Sequence, residues 1–463
     1  MRHLLRPVFF VALVAAGGCA NHPTVAPSTS VPAVGAFLET GYAVSTAPVP
    51  GDWWRLFDDP VLNRHVERAL AANTDIRAAR ANLETARAIT RQAEAARGIA
   101  TVAESGAGPN KANTQPSTSS VPKTSYEAGF TVAYEVDLFG RFSAVTRAAE
   151  ADANAAQATL EAARVTVVAD TVSAYVDLCA AARDQDLLQA QVDTAAQARQ
   201  LIASQLLLGE VSPLQLARAT AALETTRAGL PSLQAERRRA LYTLAALQGL
   251  PPAEAAGLDS DCRTLPRIIS VLPAGDGAGL LARRPDVREA EQKLAAAAAR
   301  TDITTADLYP RIRLGASAGE IGGGFDVFMT PLITWNFPNQ NVERAKIAAA
   351  TGTANAALAR FDGVMLGALR ETETVLAAYQ ADLSREASLQ AAFAESDKAF
   401  TRAQSRYRLG EDSYLWVLDA QTARNIAERD LATSEVRIAR SQIALFKALG
   451  GGWQTVDENP EVK

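Results

Sequence analysis

Hydrophobic and polar positions alternate without a break from residue 126 to residue 138. Tyr126, Ala128, Phe130, Val132, Tyr134, Val136 and Leu138 fall on one face, and Glu127, Gly129, Thr131, Ala133, Glu135 and Asp137 on the other. A period of two predicts a strand with one apolar side. Ile312, Leu314, Ala316 and Ala318 alternate in the same way. Residues 327–337 supply a partner strand, and Gly322-Gly323-Gly324 the hairpin loop between the two. Residues 98–108 alternate weakly, and residues 109–124 read as a polar loop. Elsewhere apolar residues recur at spacings of three and four. This predicts helices over 60–97, 142–208, 213–248, 279–307 and 341–408, with a last helix returning to Leu449. A helix over 142–208 has roughly 65 residues and a length on the order of 100 Å. That exceeds a globular helix and implies a coiled coil or bundle.

The pattern occurs twice. Leu208-Gly209-Glu210-Val211-Ser212-Pro213-Leu214 returns as Leu409-Gly410-Glu411-Asp412-Ser413-Tyr414-Leu415, 201 residues later. Asn73-Thr74-Asp75-Ile76-Arg77 has a looser echo in Arg284-Pro285-Asp286-Val287-Arg288. Each half reads helix, strand pair, long helix, glycine turn, long helix, which is an internal two-fold repeat. Two strands per half are too few to stand alone. They must join strands of other halves or other chains, so the pattern points to an assembly.

The N-terminus carries Arg2, His3 and Arg6, then the apolar run 8–16, then Gly17-Gly18-Cys19. This is an export signal with a small-residue cleavage site. A cysteine at that place reads as a bacterial lipoprotein signal with Cys19 lipidated, although Ala16 stands where such signals usually carry leucine. The alternative is an ordinary signal peptide with an incidental cysteine. Beyond it no stretch reads as long and apolar enough for a membrane helix of roughly 20 residues. A chain of this kind that spans a membrane does so as a closed barrel. The 126–138 alternation suits a barrel strand, apolar outside and polar toward a wet lumen. The alternation alone leaves open a strand half-buried in a soluble sheet; the export signal and the missing membrane helix favour the barrel. The boundaries follow: signal 1–18, extended tether 19–51, first repeat 52–249, connecting segment 250–278, second repeat 279–452 and tail 453–463.

Composition narrows the function. Alanine is abundant and aromatics make up 6%, which favours long, closely packed helices. A net charge of −5 speaks against nucleic acid as a partner. The three histidines are His3, His22 and His65, too few for a metal site. There is no phosphate loop and no Ser/His/Asp arrangement, so neither enzyme activity nor a cofactor is expected. Cys179 and Cys262 remain. Cys179 precedes the Gly209 turn by about 30 residues, or roughly 45 Å of helix, and the helix returning from that turn ends just before Cys262. A Cys179–Cys262 disulfide fits an exported chain; the alternative is two unpaired cysteines, one of them a small core residue.

Several segments resemble the TolC-like outer-membrane efflux factors, in particular the NodT-type lipoprotein branch. They are Trp53-Trp54-Arg55-Leu56-Phe57-Asp58-Asp59-Pro60, Val136-Asp137-Leu138-Phe139-Gly140-Arg141, Leu281-Ala282-Arg283-Arg284-Pro285-Asp286-Val287-Arg288, Ala306-Asp307-Leu308-Tyr309-Pro310-Arg311-Ile312 and Leu415-Trp416-Val417-Leu418-Asp419-Ala420-Gln421. The likeness runs through the mature chain, departing at Phe337-Pro338-Asn339-Gln340-Asn341, where the family often has Phe-Asp-Gly-Gly-Arg. It implies a mainly α chain with a small β part. In a homotrimer, four strands per chain would build one twelve-stranded outer-membrane barrel above a helical coiled-coil tunnel. It implies a passive conduit for small molecules, served by a periplasmic adaptor and a proton-driven inner-membrane pump. Ala20 after the cysteine favours anchoring in outer-membrane lipid.

Within that frame the helix-turn-helix tips reach toward the inner membrane. Gly209, Ser212, Leu214, Gly410, Ser413 and Leu415 are candidates for adaptor docking, or else only form the turns and their small core. Asp419 matches a family aspartate that faces the tunnel constriction. Three copies would form an acidic ring; the alternative is a solvated aspartate on the outer face. Arg218 is its counterpart in the first half, and a charged hydrogen bond between them would hold the coils shut. Competing readings are a type I protein-secretion channel, a diffusion porin and a lipid-anchored coiled-coil scaffold. A porin has no use for 65-residue helices, and a scaffold none for the strand alternation.

Overall fold

The computed structural model describes residues 35–452 except Thr40, Tyr42, 111–122, 259–261, 263, 322–323, 336 and 339. In chain order the elements are β1 (Val44–Ser45), α1 (Pro60–Ala72), α2 (Thr74–Ala95), β2 (Ala100–Asn110), β3 (Lys123–Val136), α3 (Arg141–Leu207), α4 (Pro213–Arg227) and α5 (Leu230–Leu247). Then follow β4 (Leu272–Pro273), α6 (Gly277–Arg283), α7 (Pro285–Ala306), β5 (Arg311–Ile321), β6 (Gly324–Thr334), α8 (Asn341–Arg408) and α9 (Tyr414–Ala448). The chain is mainly helical. Helices α3 and α8 have 67 and 68 residues, about 100 Å each.

The four long strands form one antiparallel sheet in the order β2-β3-β5-β6. Its register explains the alternation. Val132, Ala316 and Met329 share one row, as do Phe130, Ala318 and Val327, and Tyr134, Leu314 and Pro331. The apolar positions of three strands therefore make one continuous face, on which Phe130, Leu314, Val327 and Met329 are exposed. Glu135 opposes Arg313 on the other face and pairs with it at 3.1 Å. Strand β3 stops at Val136, before the expected Leu138, because Asp137 caps α3. Its carboxylate accepts from the backbone N–H groups of Phe142 and Ser143, each at 3.0 Å.

Three predicted helices are broken. The first divides at Asn73, whose side chain accepts from the N–H of Asp75 and Ile76 and donates to the carbonyl of Leu247. The helix near residue 284 divides where Pro285 opens α7 and Arg284 turns extended. The two looser sequence echoes thus both mark helix breaks. The third break is at Gly229, where a Cβ would lie 2.8 Å from Leu188. Helix α9 is unbroken over 35 residues. One window of α3 is apolar enough by composition to cross a membrane, which the sequence reading passed over; 72% of that window is buried against its neighbours.

The core sits where the two halves meet. Trp53 is fully buried and stacks on Phe446 at 4.9 Å. Asp59 caps α1 and accepts from the Tyr175 hydroxyl at 2.9 Å. Arg283 and Arg284 donate to the carbonyls of Leu449 and Ala448, satisfying the end of α9. The tether read as ending at residue 51 is packed against the body from Gly35 onward. Its backbone joins β4 through Leu272, Ala274 and Gly275, and Glu373 accepts from the N–H groups of Leu38 and Glu39.

Candidate functional site: the helical tips

Both tips reverse by the same device. Gly209 (φ 76°) and Gly410 (φ 75°) take the left-handed conformation, which a side chain would strain. In the first tip Gly209 N donates to Leu206 O and Glu210 N to Gln205 O, each at 3.0 Å. In the second, Gly410 N donates to Tyr407 O and Glu411 N to Arg406 O, again at 3.0 Å. This pair of bonds closes the orphan carbonyls of a helix end. Ser212 and Ser413 then begin the returning helices, and Ser413 Oγ accepts from Leu415 N. The second tip adds Arg406, which pairs with Asp412 at 2.9 Å and Glu411 at 3.4 Å.

The tips are packed on each other. Ile202, Ala219, Tyr414 and Val417 form a small buried core between them. The Tyr407 hydroxyl donates to Gln205 Oε1 at 2.6 Å, bonding the two hairpins directly. Burial pushes the Tyr414 phenol up to about 12, with a smaller contribution from Tyr407.

Outside that core the tips are apolar and exposed. Leu214 and Leu415 are joined by Leu207, Leu208, Leu409 and Trp416, none of which the sequence reading singled out. Their sequence signal is weak: Leu207, Leu208 and Leu409 stand at the ends of α3 and α8 beside the glycine turns, and Trp416 directly precedes buried Val417. Clustered exposed apolar side chains of this size mark an interaction surface.

Asp419 and Arg218 are both exposed, and no hydrogen bond or ion pair joins them within the chain. Asp419 lies two residues past buried Val417, about 200° round the helix, on the side away from the tip core. Cys179 on α3 and Cys262 are brought together as a disulfide, with their Cα atoms 5.0 Å apart. Cys19 lies outside the described residues.

The family described as outer membrane efflux protein matches residues 65–250 and 279–451. The chain is 29% identical over 477 residues to the toluene efflux pump outer membrane protein TtgI of Pseudomonas putida, covering 98% of this chain and 99% of that protein. It is 27% identical to nodulation protein T of Rhizobium leguminosarum bv. trifolii, covering 97% of each. Among solved structures, the outer-membrane channel OprN superposes with a TM-score of 0.86 at 33% identity, covering 93% of this chain and 100% of that one.

Proposed function

The chain belongs to the outer membrane efflux protein family, and from that premise we propose that three copies close one channel through which small molecules leave the cell. The protein is an outer-membrane channel component of an efflux system. One observation carries the trimeric reading. The sheet has one continuous apolar face, and the outer edges of its end strands β2 and β6 pair with no other strand among the described residues. Unpaired strand edges do not persist in lipid. Pairing β6 of one copy with β2 of the next closes a twelve-stranded barrel from three copies, with the Glu135–Arg313 face toward the lumen. The long hairpins then descend from the barrel as a tunnel.

The apolar tips are the docking surface for a periplasmic adaptor, which connects the tunnel to a proton-driven inner-membrane pump. Lipidation at Cys19 holds the chain to the outer membrane. Toluene export by the relative TtgI supports small-molecule cargo over type I protein secretion. Asp419, exposed and turned away from the tip core, supports an acidic ring around the threefold axis, with Arg218 as its exposed counterpart in the first half.

Single-channel recording in planar bilayers tests this. The wild type is expected to give small, flickering conductance, and Asp419→Ala to raise it at least about twofold as the ring loses its charge. A wild-type pore indifferent to the substitution retains the channel and removes the Asp419 gate. A protein that is trimeric and inserted but never conducts, in either form, argues against the conduit.

A further inference from the structure

The segment between Cys262 and Ile268 touches three long helices. At one end Cys262 is bonded to Cys179 of α3. Arg267 next donates to both carboxylate oxygens of Glu386 on α8, at 2.5 and 3.2 Å, and Glu386 is buried. Ile268 is then gripped by Gln442 of α9. The amide oxygen accepts from Ile268 N at 3.0 Å, and the amide nitrogen donates to Ile268 O at 2.7 Å. Gln442 is completely buried and also donates to the Tyr379 hydroxyl at 3.3 Å. A side-chain amide that satisfies both backbone groups of one residue imitates a strand pairing. It holds that residue in position and orientation together.

We infer that Cys262, Arg267 and Ile268 form a clamp, fastened covalently to the first hairpin, that fixes the second hairpin through Glu386 and Gln442 and sets the resting closure of the tips. The inference rests on the channel reading above. Its mechanical basis is distance. Gln442 lies 28 residues along α9 from Tyr414 at the tip, about 42 Å at the helical rise, so a rotation of about 5° at the clamp moves the tip by roughly 4 Å. The tips themselves are joined by the Tyr407–Gln205 bond and a small core. Between clamp and tip, Arg183 and Gln191 of α3 also bond Glu435 and Glu428 of α9, so the clamp sets the angle at the base of a lever that these ties hold to the first hairpin along its length. Gln442 and Glu386 are therefore positioning residues, acting on the aperture through the hairpin that carries it.

The test compares wild type, Gln442→Leu and Arg267→Lys in single-channel recordings, with the thermal midpoint of each trimer measured alongside. Gln442→Leu keeps the volume and removes the grip on Ile268. Its open probability is expected to rise roughly tenfold, the effect of losing about two hydrogen bonds that favour the closed state. Arg267→Lys keeps a cation beside the buried Glu386 and gives up the two-pronged hydrogen bond, and is expected to raise open probability about threefold while its midpoint stays within a few degrees of wild type. Opening without loss of stability is the readout that a merely structural role would not move. If the wild type conducts and both variants gate as it does, the clamp is wrong and the channel stands. If all three insert and none conducts, both are wrong. A silent wild type beside conducting variants supports the clamp directly.

Discussion

Replacing Cys179 and Cys262 together by alanine is expected to lower stability by about 4 to 5 kcal/mol, the loop-closure entropy returned to an unfolded chain by a bridge spanning 83 residues. For a chain of 463 residues this corresponds to a thermal midpoint lower by about 5 °C. The measurement is a melting scan, at one fixed rate, of the oxidised wild type, the reduced wild type and the double variant. The last two should coincide, since the alanines remove little besides the bond. Cys179 is fully buried against α5 and the connecting segment, so its side chain contributes only a small further packing loss. A reduced wild type that melts with the oxidised form would show the bond to be absent or without effect. A double variant far below the reduced form would assign the loss to packing instead.

The architecture was legible where a period was long and one-sided. The β3 alternation survived into the sheet register because one face meets one environment along the whole strand. The ends of α3 and α8 were legible because glycine must follow them, at Gly209 and Gly410. Breaks inside helices were not. Asn73 interrupts a helical pattern that continues on both sides, and its reason is tertiary: it donates to Leu247, 174 residues away. The docked part of the tether was equally silent. Its partners Glu373 and Gln380 lie more than 330 residues off, and a segment with isolated apolar residues such as Phe37 and Val49 has no period to read.

The candidate site was half legible for a related reason. The turn residues follow from backbone conformation, which is local. The exposed Leu207, Leu208, Leu409 and Trp416 emerge only once the tip core is seen to leave them outside, since leucines at a turn and a tryptophan beside a core valine read equally well as core. Asp419 and Arg218 are both exposed and have no bond to each other within the chain. The motifs that carried the resemblance proved mostly structural. Asp59, Asp137, Arg283 and Arg284 all satisfy helix ends.

Two tryptophans separate the roles of core and tip. Trp53→Ala is expected to cost about 3 to 5 kcal/mol, the range for deleting a fully buried large aromatic. Trp53 has no exposed surface, stacks on Phe446 with an interplanar angle of 12°, and meets Trp54 and Phe57 edge-on. Its indole nitrogen has no hydrogen-bond partner among the described residues, so Trp53→Phe loses mainly volume and should recover much of the stability. The loss in Trp53→Ala should spread. Gly451 and Gly452 pack on the indole, and the turn they belong to follows the α9 end that Arg283 and Arg284 secure. Trp416→Ala makes the opposite case. Trp416 is 62% exposed, and its removal should change stability by no more than about 0.5 kcal/mol. An exposed aromatic at a docking surface is, however, the kind of residue whose truncation costs about 2 kcal/mol or more in binding. Melting curves for both variants, with adaptor-dependent export measured in cells carrying each, should therefore cross. Trp53→Ala should be destabilised and depleted, while Trp416→Ala should be stable, normally abundant and defective in export. Normal export by a stable Trp416→Ala would remove Trp416 from the docking surface.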